Sequence, residues 1–364
     1  MRFLVALLGR RDTPTDGVED YCAFLAKALD ARRTRMILAR VRWMEDGWIN
    51  GLRGLWRESA EWNGQWVILQ YTALSWSRRG FPFGAVAVLA ILRRRGARCA
   101  IVFHEPNRQS EDSARWIDRI RGACQEWTVR TLYRQAEKPI FADPLDTVAW
   151  LPKTETKAVY IPIGANVPEP LPRSNSEENG PKTVAIFCLS DLPNRKREVN
   201  DISGAMRSVA SNGTRLRVVF LGRGTTEAAE DIERAFQGSS VEVLNLGLRS
   251  AEEVSRVLGE SDVMLCVRGK FFPRRGSAIA GIACGLPIIA YAGVAEGAFA
   301  EAGIELVPYG DTVALGNMLA CTLTDRNRWQ ELHEKNLGVY PKYFSWESIA
   351  SKLLEALGTA GLSA

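Results

Sequence analysis

The run Pro273-Arg274-Arg275-Gly276-Ser277, closed further on by Gly285-Leu286-Pro287, concentrates the most useful chemistry in the chain. It reads as a loop, a two-turn helix, a glycine stop and a buried strand. Ser277 is the expected N-cap, because a serine hydroxyl accepts from an orphan amide two or three residues on. Gly285 tolerates left-handed geometry past a helix end, and Pro287 blocks continuation. Free amides, the positive end of the helix dipole and the guanidinium groups of Arg274 and Arg275 would converge at the helix start around Gly276, which is how proteins hold a phosphate. The alternative is a capped helix with two solvated arginines. A second cationic cluster, Arg195-Lys196-Arg197, follows an expected strand and reads as anion contacts or as a solvated helix start. His104, one of two histidines, ends an apolar strand beside Glu105 and reads as a satisfied buried ring or a site group. Glu19 and Asp20 follow Gly17 after the first strand. A carboxylate there can act as a general base or simply decorate the first helix.

These groups need elements to position them, and the chain supplies one pattern twice. Short apolar, β-branched runs alternate with helical spacing, the signature of a parallel sheet flanked by helices. In the first half we expect strands at 3–8, 35–39, 66–70, 100–103, 138–141 and 158–161, with helices at 17–31, 83–95 and 113–134. In the second half strands are expected at 183–189, 217–221, 241–244, 263–267, 287–291 and 305–307, with helices at 200–211, 225–236 and 251–260. An amphipathic helix follows at 343–357, opened by Ser345. The stretch 166–182 is rich in Pro, Ser, Asn, Glu and Gly without periodicity, and reads as a linker. The fold class is α/β, with one Rossmann-like domain over 1–165 and another over 183–342. Two such units leave a cleft at the carboxyl ends of their strands, where ligands bind.

Composition narrows the function. A chain of 364 residues, 46% apolar and 24% charged, is that of an ordinary globular protein with two cores. No apolar run reaches the ~20 residues that span a bilayer, and the apolar start is too short for a signal peptide. Seven scattered cysteines without a Cys-x-x-Cys pair read as reduced core residues of a cytoplasmic protein. The two histidines are far apart, so no zinc site is expected. The net charge of +5 divides into about +8 before residue 166 and about −3 after it. A basic half suits a phosphorylated substrate or peripheral contact with an anionic membrane. Nucleic acid is excluded as a partner, since no recognition motif or interleaved aromatic platform is present. Six of the eleven tryptophans fall at 43, 48, 56, 62, 66 and 76. With Arg78 and Arg79 they read as core packing or as an acceptor surface for a lipid-linked or phosphorylated glycan.

Several segments resemble, in family order and over nearly the whole length, the motifs of the GT-B glycosyltransferases of the group 1 nucleotide-sugar family. They are Asp16-Gly17-Val18-Glu19, Phe103-His104-Glu105, Tyr160-Ile161-Pro162-Ile163-Gly164-Ala165-Asn166, Leu221-Gly222-Arg223-Gly224, Ser261-Asp262-Val263 and Ala283-Cys284-Gly285-Leu286-Pro287. The resemblance implies a GT-B fold, acceptor domain first and donor domain second, facing across a cleft. Phe344-Ser345-Trp346-Glu347 would open a last helix that returns to the first domain. It implies transfer of a sugar from a UDP- or GDP-type nucleotide sugar to a glycan, lipid-linked or small-molecule acceptor, with retention. Cationic side chains and amides can meet the charge on the departing diphosphate, so no metal or other cofactor is expected. It implies donor contacts from Gly17, Gly222 and the Arg195-Lys196-Arg197 region, and sets His104 near the donor sugar. The chain departs from the family at the two glutamates spaced Glu-x7-Glu, where it carries Phe272 and Ala280. Arg274-Arg275-Gly276-Ser277 offers diphosphate chemistry there instead. This departure keeps a non-catalytic GT-B binding or partner subunit open and argues against a sugar-nucleotide epimerase. A dehydrogenase is disfavoured, because no Gly-x-Gly-x-x-Gly follows the first strand.

Overall fold

The computed structural model describes residues 3–13, 16–107, 116–154, 157–168 and 180–359. It divides into two compact units, Met1–Ile163 with Trp346–Ala364, and Gly164–Ser345. Most of the expected linker, 169–179, lies outside the described residues, as do the first residues of the helix expected at 113.

The first unit begins with β1 (Leu4–Leu8), whose five residues are all buried, as in a strand covered on both faces. α1 (Gly17–Ala31) follows, started by the Asp16 carboxylate, which accepts from Val18 N and Glu19 N at 3.0 and 3.1 Å. Next come β2 (Met36–Arg40), α2 (Trp43–Glu58), β3 (Trp66–Tyr71), α3 (Phe83–Arg94), β4 (Arg98–Phe103), α4 (Trp116–Gln135), β5 (Lys138–Phe141) and β6 (Val159–Tyr160). All neighbours pair in parallel in the order β2-β1-β3-β4-β5-β6. Strand residues alternate between two apolar layers. Leu4, Ala6 and Ile68 pack with Leu25 and Leu29 of α1, while Val5, Leu7 and Val67 pack with Val88 and Leu92 of α3. Most of the tryptophan-rich stretch serves these layers, as its reading as core packing expects. Trp43, Trp62, Trp66 and Trp76 are buried, Trp48 stacks on Trp43 at 4.8 Å, and of the six only Trp56 is exposed. α2 was not among the expected helices, because Gly47, at φ 75°, kinks it and breaks its spacing.

The second unit runs β7 (Lys182–Phe187), α5 (Asn194–Ala210), β8 (Leu216–Leu221), α6 (Ala229–Phe236), β9 (Glu242–Gly247), α7 (Ala251–Glu260), β10 (Val263–Cys266), α8 (Gly276–Ala283), β11 (Ile288–Tyr291), β12 (Ile304–Val307), α9 (Thr312–Thr324) and α10 (Arg326–Val339). Its sheet is again parallel, in the order β12-β11-β10-β7-β8-β9. The last helix, α11 (Trp346–Ala356), belongs to the first unit. There Ile349, Ala350 and Leu353 join the core with Tyr21 and Leu25, and Trp346 stacks on Phe24 at 5.6 Å. All seven cysteines are free, with Cys22, Cys99 and Cys266 buried and Cys321 exposed. Among the described residues no helix is long and apolar enough to cross a membrane.

Each sheet has a point where the winding direction reverses, between β1 and β3 in the first unit and between β7 and β10 in the second. Strand ends at such a point are where open parallel sheets hold ligands.

Candidate functional site

In the second unit the reversal lies beyond Phe187 and Cys266. Cys188 leaves β7 in the left-handed region, φ 70°, a conformation uncommon for a residue with a side chain. Its N–H donates to Leu221 O at 2.8 Å, and Leu189 N donates to Arg223 O at 2.9 Å. Gly222 and Gly224 complete this junction. Both have positive φ, and a Cβ on Gly222 would lie 2.7 Å from Cys188 Sγ. Glu198, in the first turns of α5, is fully buried and accepts from Ser190 N at 2.8 Å, so it ties the loop after β7 to the helix. Its other oxygen lies 3.6 Å from Arg197 Nη2. Arg197 also donates to Val267 O at 3.5 Å and to the Tyr309 hydroxyl, its guanidinium 4.9 Å from the Tyr309 ring centre. Lys270 reaches the same ring at 6.0 Å. Of the cluster Arg195-Lys196-Arg197, Arg197 is therefore the member set at the strand ends. Arg195 turns to Asp231 of α6 at 3.5 Å, and Lys196 is exposed on α5.

The loop from β10 to α8 corrects two sequence expectations. Ser277 is not the N-cap. The Arg275 carbonyl accepts from Ala278 N at 2.9 Å and Ile279 N at 3.1 Å, so the first turn closes two residues earlier and extended Arg275 takes the cap position. Ser277 instead hydrogen-bonds the Cys266 thiol, which burial pushes up to about 11. Arg275 is not an open phosphate ligand either. It is buried and bends back to donate from Nη2 to Arg268 O and, at 3.0 Å, to Lys270 O, fastening its own loop. Burial draws its pKa below the usual arginine range. Arg274 and Arg275 lie over Phe272 at 5.3 and 4.6 Å. No side chain caps α8, so the amides of Gly276 and Ser277 open a helix end that still carries its dipole. Arg268 and Lys270 are exposed and have no ion pair among the described residues. Arg197 of α5, Arg268 and Lys270 of the loop after β10 and an uncapped helix end thus lie near the buried carboxylate of Glu198, an arrangement suited to a multiply charged anion.

The remaining sequence candidates lie in the first unit. His104 is buried just after β4, its N–H donating to Tyr71 O at 3.0 Å. Its Nε2 meets Gln70 Oε1 at 2.8 Å. The Tyr21 ring stands edge-on at 5.1 Å. Glu19 is held between Arg11 and Arg40, both at 3.0 Å, and so anchors the β1 loop. Asp20 is exposed one position on, and Gly17 opens α1 with free space around it. Sequence reasoning missed Glu198, Arg268, Lys270 and Tyr309. Glu198 sits inside a charged run that resembles a solvated helix face, and nothing local marks Tyr309. Among the described residues no cluster of His, Cys, Asp and Glu is placed to hold a metal ion.

No protein-family model matches the sequence, and no curated protein matches it. Solved structures do resemble it. A glycosyltransferase from Rickettsia africae aligns over 100% of both chains with a TM-score of 0.71 at 12% identity. Anabaena HepE, solved with UDP-glucose, aligns over 99% of this chain and 100% of its own with a TM-score of 0.67 at 12% identity. The N-terminal domain of a trehalose-6-phosphate phosphatase from Candida albicans aligns over 99% and 97% with a TM-score of 0.65 at 13% identity. At such identities the likeness shows the fold: the chain has the α/β GT-B fold, two parallel sheets flanked by helices.

Proposed function

We propose that the protein is a glycosyltransferase that moves a sugar from a nucleoside diphosphate sugar, of UDP or GDP type, to a glycan, lipid-linked or small-molecule acceptor. The carrying observation is the gathering of Arg197, Arg268, Lys270 and the uncapped start of α8 at the β7/β10 reversal. In the reaction the bond from the anomeric carbon to the diphosphate oxygen breaks with its electron pair going to that oxygen, a bond to the acceptor oxygen forms, and the acceptor hydroxyl's proton passes to the departing diphosphate. Negative charge builds on the departing diphosphate, so fixed donors aimed at it lower the barrier more than they favour the bound substrate. Arg197 suits this task, because Glu198, Val267 O and Tyr309 hold its guanidinium in place. Transfer with retention and without a metal is part of the proposal, the charge being met by side chains and amides of this chain. The likeness to HepE, solved with UDP-glucose, supports a nucleotide-sugar donor.

A second reading is favoured by Phe272 and Ala280. Neither carries a carboxylate, and Ala280 is buried on the inner side of α8. The second reading is a protein that binds the nucleotide sugar without turning it over. Thermal shifts with UDP, GDP, ADP and dTDP, followed by assays for donor-sugar hydrolysis, separate the two. Stabilisation by one nucleotide together with release of that nucleotide from its sugar is expected. Stabilisation without release would establish the second reading, and no stabilisation by any nucleotide would exclude both.

A further inference from the structure

α4 of the first unit carries large apolar side chains on its outer side as well as in the core. Its inner side buries Gly122, Gln125, Thr128, Val129 and Leu132, with Gln125 Nε2 donating to Gly80 O at 3.2 Å. Its outer side presents Trp116, Ile120 and Trp127 at 70, 45 and 53% exposure. These positions, spaced four and seven apart, fall on one stripe of a helix. The stripe continues onto α3, where Phe83, 47% exposed, meets the Trp127 ring at 5.7 Å. Large apolar side chains side by side in water mark an interaction surface, whereas single ones do not.

Positive charges predominate around the stripe. Between residues 77 and 95 there are five arginines, at 78, 79, 93, 94 and 95, and no carboxylate. Arg119 and Arg134 flank the stripe on α4 itself. The two carboxylates of α4 are already paired along the helix, Asp118 with Arg121 and Glu126 with Arg130. A second copy of the chain would set arginine against arginine across a symmetric contact. A surface of anionic headgroups complements both features. Indoles settle at the level of the headgroups, and arginine stems lie along apolar surface with their charges toward phosphate.

We propose that the outer face of α4, with Phe83 of α3 and the flanking arginines, docks the protein on an anionic lipid bilayer. The helix lies in the plane of the interface, its aromatic stripe entering the headgroup region while the arginines meet lipid phosphates. This proposal does not depend on the sugar-transfer reading.

The test is flotation of the full chain with phosphatidylcholine vesicles and with vesicles that also contain phosphatidylglycerol. The protein is expected to float with the anionic vesicles, to stay behind with the neutral ones, and to be released by high salt. The double variant Trp116→Ser/Trp127→Ser should bind anionic vesicles roughly tenfold more weakly or worse, since affinity scales with the apolar area inserted. Its melting temperature should be unchanged, because both indoles are exposed. Wild-type protein left in solution with anionic vesicles would overturn the proposal, as would a double variant that floats like the wild type. A dimer in sedimentation velocity that Trp127→Ser dissolves, with no vesicle binding, would make the face a self-interface and equally overturn it.

Discussion

The two sheets reach the same topological event and finish it with different materials. In the first unit the ends of β1 and β3 are sealed by main chain. A Cβ on Gly9 would lie 2.2 Å from Ser75 O, and that carbonyl accepts from Arg10 N at 2.7 Å and from Trp43 Nε1 at 3.1 Å. Arg40 bonds Gly9 O at 2.7 Å and Glu19 at 3.0 Å, so the nearby charges neutralise one another. In the second unit the ends of β7 and β10 are separated by loops that carry cations, Arg268 and Lys270 among them, beside Arg197 and the buried Glu198. The same winding therefore yields a plug where backbone meets backbone, and an anion site where charged loops meet a bare helix end. The difference lies in which residues follow the strands.

The contrast breaks most severely at the plug. Gly9→Val should cost about 3 kcal/mol or more, because a backbone carbonyl cannot move aside as a side-chain tip would. Urea denaturation measures this, and a variant as stable as the wild type would mean that the strand ends are not sealed. The next largest effect belongs to Glu198. Glu198→Ala leaves Ser190 N–H without its acceptor and a guanidinium without its partner, at a cost of about 2–3 kcal/mol. Glu198→Gln keeps an acceptor and should recover at least half of that loss. Equal losses in the two variants would show that the loop after β7 does not hang on this hydrogen bond.

A smaller effect sharpens the picture of α8. The Cys266 thiol, raised by burial from its ordinary 9.0 to about 11, is neutral in folded and unfolded chains below pH 9. Between pH 9 and 11 the unfolded chain ionises it and the folded chain does not, so this residue contributes a loss of stability as pH rises through that window. Cys266→Ser should flatten the fall in melting temperature across pH 9 to 11, and an unchanged slope would count against the burial of this thiol. At neutral pH iodoacetamide should modify exposed Cys321 and spare Cys266 until the chain unfolds.

Much of the fold was legible because strands buried on both faces are short apolar runs, and Lys138–Phe141, Gly17–Ala31 and Ala251–Glu260 fall where their patterns place them. α7 announces itself through Ser250 and Glu253, a reciprocal cap. α2 was hidden by its glycine kink, and α9 by apolar residues on all sides that carry no single face. The site was legible by segment and not by side chain. Arg195 and Arg197 lie two apart in a helix and so point to different neighbours, one to α6 and the other to the strand ends. Arg275 reads as a solvent-facing cation until the loop closes around it. Tyr309 comes from a loop far along the chain, and only the sheet order brings it to Arg197.

The central claim is that the nucleotide sugar's diphosphate binds at the β7/β10 reversal. Isothermal titration of UDP and GDP against the wild type, Arg197→Ala/Arg268→Ala and Arg195→Ala tests it most directly. We expect the double variant to lose tenfold or more in affinity for the nucleotide that binds, about 1.4 kcal/mol or more. Arg195→Ala should stay within roughly twofold of wild type, because its guanidinium faces Asp231 of α6 and not the strand ends. Wild-type binding that the double variant retains in full would contradict the account.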